Sequence, residues 1–124
     1  MKEKTHIPDS EFTIMQIVWT HPQPISKIKV AVLAEAQKGW TPQTVYTLLY
    51  RLTEKGFLSS EKQGKKRYYS PLVSRETYID QETDRFMKLV HNNSLTELMN
   101  ALFKNKPTRE NLAEIEHWLK KNIN

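Results

Sequence analysis

The side chains best suited to binding chemistry lie in the segment WTPQTVYTLLYRLTEKGF, residues 40–57. One apolar stripe recurs there at helical spacing and consists of Val45, Leu48, Leu49 and Leu52. The rest of this predicted helix carries amides, hydroxyls, phenols and a guanidinium, whereas a face that only meets water is usually filled with lysine and glutamate. The members of this polar face are Gln43, Thr44, Tyr46, Thr47, Tyr50 and Arg51. These groups donate and accept hydrogen bonds, and the pattern predicts a recognition surface.

The polar face has the chemistry that a helix needs in the major groove of DNA, where outward side chains bind base edges and phosphates. Gln43, Thr44 and Thr47 lie near the helix N-terminus, whose partial positive charge favours phosphate. Arg51 can bind a phosphate, and the carboxylate of Glu54 lies at the far end of the helix. We therefore predict double-stranded DNA as the partner of this helix.

Tyr46 and Tyr50 also fit other roles. Both can pack against a neighbouring element, or act as anchors in a winged helix that binds another protein, since tyrosine is enriched at interface hot spots. A third alternative is a small-molecule-responsive regulator with its ligand between the N-terminal domain and the C-terminal helices. DNA binding that weakens with salt would favour the first interpretation, and a ligand-dependent melting temperature would favour the third.

Catalytic and metal chemistry finds little support in the sequence. His6, His21, His91 and His117 are scattered without metal-ligand spacing, and the chain has no cysteine. Its three glycines fit turns, so a glycine-rich phosphate loop is excluded. We predict no enzyme activity, no cofactor and no metal site.

Three helices joined by tight turns position the polar face. Asp9 is the predicted N-cap of a first helix through SEFTIMQIVWT, and Ser26 caps a second through KIKVAVLAEAQK, which ends at Gly39. Thr41 caps the third, residues 42–55, in which proline occupies the first helical position. The second and third helices predict a helix-turn-helix pair with the third as recognition helix.

A β-hairpin follows, because the period changes from helical to extended over residues 57–71, around Gly64. Its basic tip carries Lys62, Lys65, Lys66 and Arg67. Three compact helices followed by a hairpin have the element order of a winged helix-turn-helix. The sequence thus predicts a mainly α fold with one small hairpin. It also predicts a DNA-binding domain over residues 1–72 whose wing contacts phosphates.

Residues 73–124 predict three further helices with apolar stripes that so few residues cannot bury alone. Ser94 and Glu97 form the S-x-x-E pattern of a capping box, and Pro107 separates the last two helices. We predict that a second copy of the chain covers the stripes, rather than the N-terminal domain, which has stripes of its own to bury. The predicted dimerisation residues are Leu95, Leu98, Met99, Leu102, Phe103, Leu112, Ile115, Trp118 and Leu119.

The net charge of +5 falls entirely within residues 1–72, which hold eleven Lys and Arg against six Asp and Glu, while residues 73–124 hold eight of each. This asymmetry favours a negatively charged partner for the N-terminal domain, although a charge of that size also serves solubility. The sequence shows neither a signal peptide nor an apolar stretch long enough to span a bilayer. We therefore predict a cytoplasmic protein without membrane insertion.

The stretch WTPQTVYTLLYRLTEKGFL, with EFTIMQIVW before it and RYYSPL after it, resembles the BlaI/MecI family of bacterial repressors over nearly the whole chain. The resemblance implies a homodimeric repressor that occludes a promoter by binding a palindromic operator with TACA/TGTA-type half-sites. The positions that match the family's recognition motif are Thr41, Thr44, Thr47 and Arg51. Gln43 stands where lysine is common and Tyr46 where arginine or asparagine is frequent, so the chain departs from the family pattern at two positions.

The same resemblance suggests a route of induction. In the penicillinase branch, a membrane sensor-protease that detects β-lactams cuts the repressor in its dimerisation region, after an asparagine that precedes a phenylalanine. Asn100 followed by Ala101 is the nearest match here, so release by proteolysis is a hypothesis that rests on half of the site. The copper-responsive branch uses C-terminal cysteine pairs, which this chain lacks.

Overall fold

The computed structural model describes residues 6–123 as helices around one small sheet. The elements are α1 Asp9–Trp19, β1 Ile25–Ser26, α2 Lys27–Lys38, α3 Pro42–Glu54, β2 Leu58–Gln63, β3 Lys66–Pro71, α4 Arg75–Val90, α5 Leu95–Lys104 and α6 Arg109–Asn122. The chain divides into two compact units, the first extending to Glu82 and the second beginning at Thr83. The sequence predicted a boundary after residue 72. The division instead falls within α4, ten residues further along the chain.

Local signals fix the ends of α2 and α3 as predicted. The Ser26 side chain accepts a hydrogen bond from the Lys29 N–H, and Gly39 ends α2 in the left-handed conformation, with φ of 71°. The Thr41 side chain accepts from the Thr44 N–H at the start of α3.

The predicted cap of α1 was wrong by one residue. The N-cap is Pro8, whose extended backbone presents its carbonyl to the Phe12 N–H at 2.9 Å. Asp9 is instead the first helical residue, where its carboxylate still lies near the positive end of the helix dipole. Proline supplies the required φ without a side-chain cap, and this is why the rule that favours aspartate failed here.

The three antiparallel strands lie in the order β1–β3–β2. The hairpin of β2 and β3 is the predicted wing, and its two strands pair up to Gln63 and Lys66 around Gly64, whose φ is 66°. The sequence analysis missed β1, in which Ile25 pairs with Tyr69 on β3. A strand of two residues is too short to show a period, but it attaches the wing directly to the start of α2.

The first half of α4 belongs to the core of the first unit because of one aromatic residue. Tyr78 is only 3% exposed, and its hydroxyl accepts a hydrogen bond from the Ile7 N–H at 3.1 Å. Its ring lies 5.8 Å from that of Phe12 and 5.6 Å from that of Phe57, measured between centroids. Because of this packing, the first unit includes the start of α4 as well as the wing.

The second unit contains the end of α4 with α5 and α6, in agreement with the predicted helices. The Ser94 side chain caps α5 by accepting from the Glu97 N–H at 3.0 Å. The reciprocal half of the predicted capping box was wrong, because the Ser94 N–H donates to the His91 carbonyl at 2.7 Å. Oε1 of Glu97 lies instead 3.3 Å from Nδ1 of His91.

A buried carboxylate ties α1 to the end of α3. Glu11 lies in α1 with its side chain 2% exposed, and its Oε1 is 2.6 Å from the Nζ of Lys55, whose side chain is 35% exposed. A buried carboxylate without a partner is costly, so this ion pair lets α1 pack tightly against the helix that carries the polar face.

We expect Lys55→Met to lower the free energy of unfolding by about 1–3 kcal/mol, because the Glu11 carboxylate then stays buried without its cation. Urea denaturation followed by circular dichroism measures this loss, and the double variant Glu11→Leu with Lys55→Met should recover part of it. Lys38→Met, which removes an exposed lysine from α2, is the control and should change stability by less than about 0.5 kcal/mol. If Lys55→Met and Lys38→Met changed the free energy of unfolding equally, the ion pair would not stabilise the fold.

Candidate nucleic-acid interface

Helix α3 has two faces with different surroundings. The apolar stripe is buried as predicted, with Val45, Leu49 and Leu52 at 0% exposure and Leu48 at 4%. On the opposite side, the exposed residues are Gln43, Thr44, Tyr50 and Arg51, whereas Tyr46 and Thr47 are half-buried. The stripe thus holds the helix by one face and leaves most of the other accessible to a partner.

The threonine hydroxyls of α3 already make local hydrogen bonds. The Thr47 hydroxyl donates to the Gln43 carbonyl at 3.1 Å, so Thr47 offers a partner its methyl group and its remaining acceptor capacity. The hydroxyls of Thr41 and Thr44 lie 3.1 Å apart, and Thr41 also caps the helix. A substitution of Thr41 would therefore change helix stability as well as any contact, which makes Thr44 the better probe of recognition.

The two tyrosines of the polar face have different environments. Tyr50 is 65% exposed and projects from the helix as predicted. Tyr46 packs against the edge of the hydrophobic core, and the ammonium of Lys27 lies 4.1 Å from the centroid of its ring. Of the two roles left open for the tyrosines, packing against a neighbouring element therefore describes Tyr46, whereas Tyr50 is available to a partner.

The wing presents its cations together. Lys62 and Arg67 are directly paired across β2 and β3, and Lys65 and Lys66 lie at the turn. The guanidinium of Arg67 donates from Nη1 to the Ser60 hydroxyl at 2.8 Å, and this hydrogen bond orients it on the strand. All four cations are exposed, as the sequence predicted.

A groove of about 500 Å³ separates the wing from the start of α2. It is lined by the four wing cations and by Tyr46, Ser26, Lys27 and Ile28. We call this the wing groove. Lys27 is the contributor that sequence reasoning missed, because a lysine just inside a helix N-terminus carries no signal of what lies across from it in the fold.

Tyr69 forms the base of the wing beside this groove. Burial raises the pKa of Tyr69 above its ordinary value, the guanidinium of Arg67 lowers it in part, and Tyr46 adds to the increase. Tyr69 therefore remains a neutral phenol at physiological pH. Tyr69 pairs with Ile25 on β1 and with Ser60 on β2, so it joins the start of α2 to the wing.

The second unit has apolar helices without a core of their own. Within residues 83–123, no hydrophobic side chain is buried, and His91 is the one residue that is. The predicted dimerisation residues that lie exposed are Leu95, Leu102, Phe103, Leu112, Ile115, Trp118 and Leu119, while Leu98 and Met99 are half-buried. Asn100 and Ala101 lie inside α5, Asn100 exposed and Ala101 half-buried.

Two other features are absent from residues 6–123. In that part of the chain, no group of histidine and carboxylate side chains is arranged to hold a metal ion. None of the described helices has the length and apolar character needed to cross a membrane.

Comparison with known proteins identifies the family. The family model described as Penicillinase repressor matches residues 7–121. The chain belongs to the penicillinase repressor family. This repressor is similar to the penicillinase repressor of Bacillus licheniformis, with 28% identity over 125 residues that cover 100% of this chain and 97% of that protein. It is equally similar to the methicillin resistance regulatory protein MecI of Staphylococcus aureus strain N315, with 28% identity over 123 residues, 98% of this chain and 99% of that protein.

Solved structures agree with the family. The solution structure of the DNA-binding domain of the repressor BlaI matches with a TM-score of 0.56 and 32% identity, over 63% of this chain and 94% of that one. The monomeric form of Bacillus licheniformis BlaI in complex with the blaP half-operator matches with a TM-score of 0.54, at the same identity and coverage. These matches confirm the predicted family, the winged-helix fold and a DNA-binding repressor rather than an enzyme.

Proposed function

We propose that this repressor binds a palindromic operator as a homodimer in the cytoplasm and blocks transcription by occluding the promoter. The α3 helix of each subunit reads one half-site in the major groove, and each wing binds flanking phosphates. The observation that carries the proposal is the exposed polar face of α3, held by a fully buried stripe beside a groove lined with cations. The similar Bacillus licheniformis BlaI forms a complex with the blaP half-operator as a monomer, and this supports operator DNA as the partner.

Base recognition falls to the first turns of α3. Gln43 and Thr44 are exposed at the end of the helix where a recognition helix enters the groove. An amide can pair with a base edge, and threonine can offer its methyl group to thymine. Arg51, two turns further along, is placed for a phosphate and fixes the register rather than the sequence.

The wing supplies binding energy that is independent of sequence. Lys62, Lys65, Lys66 and Arg67 are exposed on one hairpin, and lysine and arginine that neutralise phosphates release counterions. A dimer with about 6–10 phosphate contacts should lose roughly 10³–10⁵ in affinity between about 50 and 200 mM salt.

Dimerisation uses the exposed stripes of the second unit. Trp118 is 55% exposed and Leu102 is 50% exposed on the single chain, although water is a poor environment for so many large apolar side chains. A symmetric pair of these surfaces would bury them and would place two recognition helices on one palindrome.

Induction by proteolysis is proposed at Asn100, with a membrane sensor-protease as the partner. A protease needs an extended substrate, so α5 must first open locally. None of the α5 residues is fully buried on the single chain, and such a helix opens at low cost when it is not covered by a partner.

Operator recognition is tested by fluorescence anisotropy on a TACA-N-TGTA palindrome and on a scrambled duplex, each at two salt concentrations. We expect tighter binding to the palindrome, and weaker binding to both duplexes at high salt. Arg51→Ala should weaken both duplexes alike, since it removes a phosphate contact. Thr44→Ala should reduce the preference by about 1–3 kcal/mol at one half-site position.

Two results would contradict this division of roles. Equal losses on palindrome and scrambled DNA for both variants would show that Thr44 does not read a base. Equal binding of the unsubstituted protein to both duplexes would show that the half-site differs, and Gln43 and Tyr46 are the positions at which the family pattern changes.

Dimerisation is tested with Trp118→Glu, which puts a charge into the proposed interface. Removal of a tryptophan at an interface centre commonly costs about 2 kcal/mol or more, so the dimer should weaken at least roughly 30-fold in sedimentation velocity. Ala113→Glu, at an exposed position about 140° from Trp118 around α6 and away from the apolar stripe, is the matched control and should leave the dimer intact. A dimer unaffected by Trp118→Glu would place the interface elsewhere.

Proteolytic release is tested by incubating the repressor with an activated β-lactam sensor-protease and measuring intact masses. We expect a fragment that ends at Asn100. Asn100→Gln should remove this fragment, whereas Asn105→Gln, one turn later in the chain, should leave it. An intact chain, or a cut at another position, would count against the proposal.

A further inference from the structure

We propose that Tyr46 is a positioning residue that holds the ammonium of Lys27 in the wing groove, where Lys27 binds a phosphate of the DNA strand that passes between the wing and α2. The proposal rests on the proposed operator binding. It removes Tyr46 from the residues that read bases and adds Lys27 to those that bind the DNA backbone.

The contact between the two residues joins separate elements. Lys27 is the first residue of α2, and Tyr46 lies in the second turn of α3. The ammonium is 4.1 Å from the ring centroid, well inside the range of a cation–π interaction. Because the Tyr46 ring is half-buried against the core, its position is fixed, and it offers Lys27 a rigid surface.

This surface changes what Lys27 can do. A free lysine side chain is flexible and loses considerable rotamer entropy when it binds a phosphate. Contact with the ring restricts the chain before DNA arrives, and the N–H groups on the side away from the ring stay available. Tyr46 thereby lowers the entropy that Lys27 loses on binding.

The surroundings of Lys27 favour a nucleic-acid strand as the occupant of the groove. The opposite wall is the wing, whose Lys62, Lys65, Lys66 and Arg67 extend the positive charge along the hairpin. One wall of the groove is formed by Tyr46, from the helix that carries the exposed recognition face. A polyanion that lies along α3 therefore meets these cations in succession, and this arrangement fits a sugar–phosphate chain.

The sheet keeps the two walls of the groove in register. Strand β1 runs directly into Lys27, and its Ile25 pairs with Tyr69 on the central strand of the sheet. Arg67 lies two residues before Tyr69 on that strand and so points to the same face. The backbone thus fixes the separation of Lys27 and Arg67, which is a requirement for two cations that bind one strand.

The test measures operator affinity against salt concentration for four variants of the full chain. Lys27→Met should weaken binding roughly tenfold at low salt and reduce the salt slope by about one for each subunit. Tyr46→Leu should reproduce part of the loss in affinity, whereas Tyr46→Phe, which keeps the ring, should bind like the original protein. In the Lys27→Met background, Tyr46→Leu should cause no further loss.

Lys38→Met is the matched control, since it removes the same charge from the other end of α2 and should leave the salt slope unchanged. Circular dichroism melting confirms folding, and Tyr46→Met replaces Tyr46→Leu if the latter does not fold.

An unchanged salt slope in Lys27→Met would overturn the phosphate contact. Equal losses for Tyr46→Phe and Tyr46→Leu would show that the hydroxyl binds DNA itself and would overturn the positioning role. If the unsubstituted protein binds no DNA, the proposed function fails together with this inference, a result distinct from either of these.

Discussion

One helix must satisfy two opposite requirements, and most of the first unit follows from this constraint. Within 13 residues, α3 has to bury an apolar face deeply enough to fix its orientation and leave a polar face accessible. Rotation by a single residue, about 100°, would expose leucines and bury hydrogen-bonding groups. Helices α1 and α2 supply the surface that prevents this rotation. The ion pair of Glu11 and Lys55 holds the C-terminal end of α3 against α1.

The second unit has well-capped helices but little hydrophobic packing. It carries polar caps and regular helices but no buried hydrophobic residue within its described part. Its helices obtain little stability from packing on the single chain, and isolated helices of 10–16 residues are marginal in water. In the proposed dimer, folding of this unit would be coupled to the association of two chains, and the concentration of the protein would affect both.

The sequence predicted those features that depend on residues close together in the chain. Ser26, Gly39 and Thr41 mark helix ends because caps act within one turn. The wing follows from a change of period around Gly64, and the motif in α3 alone resembles that of the family. Features that depend on distant partners were missed or misplaced. Tyr78 extends the first unit through contacts with Ile7 and Phe12, more than sixty residues away in the chain, and the two-residue β1 exists only because β3 passes beside it. The cation–π contact of the wing groove belongs to the same class.

Register in the sheet restricts how the wing can vary in length. Tyr69 points towards the core from a position directly opposite Ser60, and Lys62 and Arg67 lie on the same face two pairs nearer the tip. Because side chains alternate along a strand, one residue added to each strand between these pairs would turn the cations to the other side of the hairpin. Two residues added to each strand would restore their direction and move them outward by about 7 Å. Relatives with longer or shorter wings should therefore differ by even numbers of residues per strand, so that the wing changes its reach without turning its charge away from the groove.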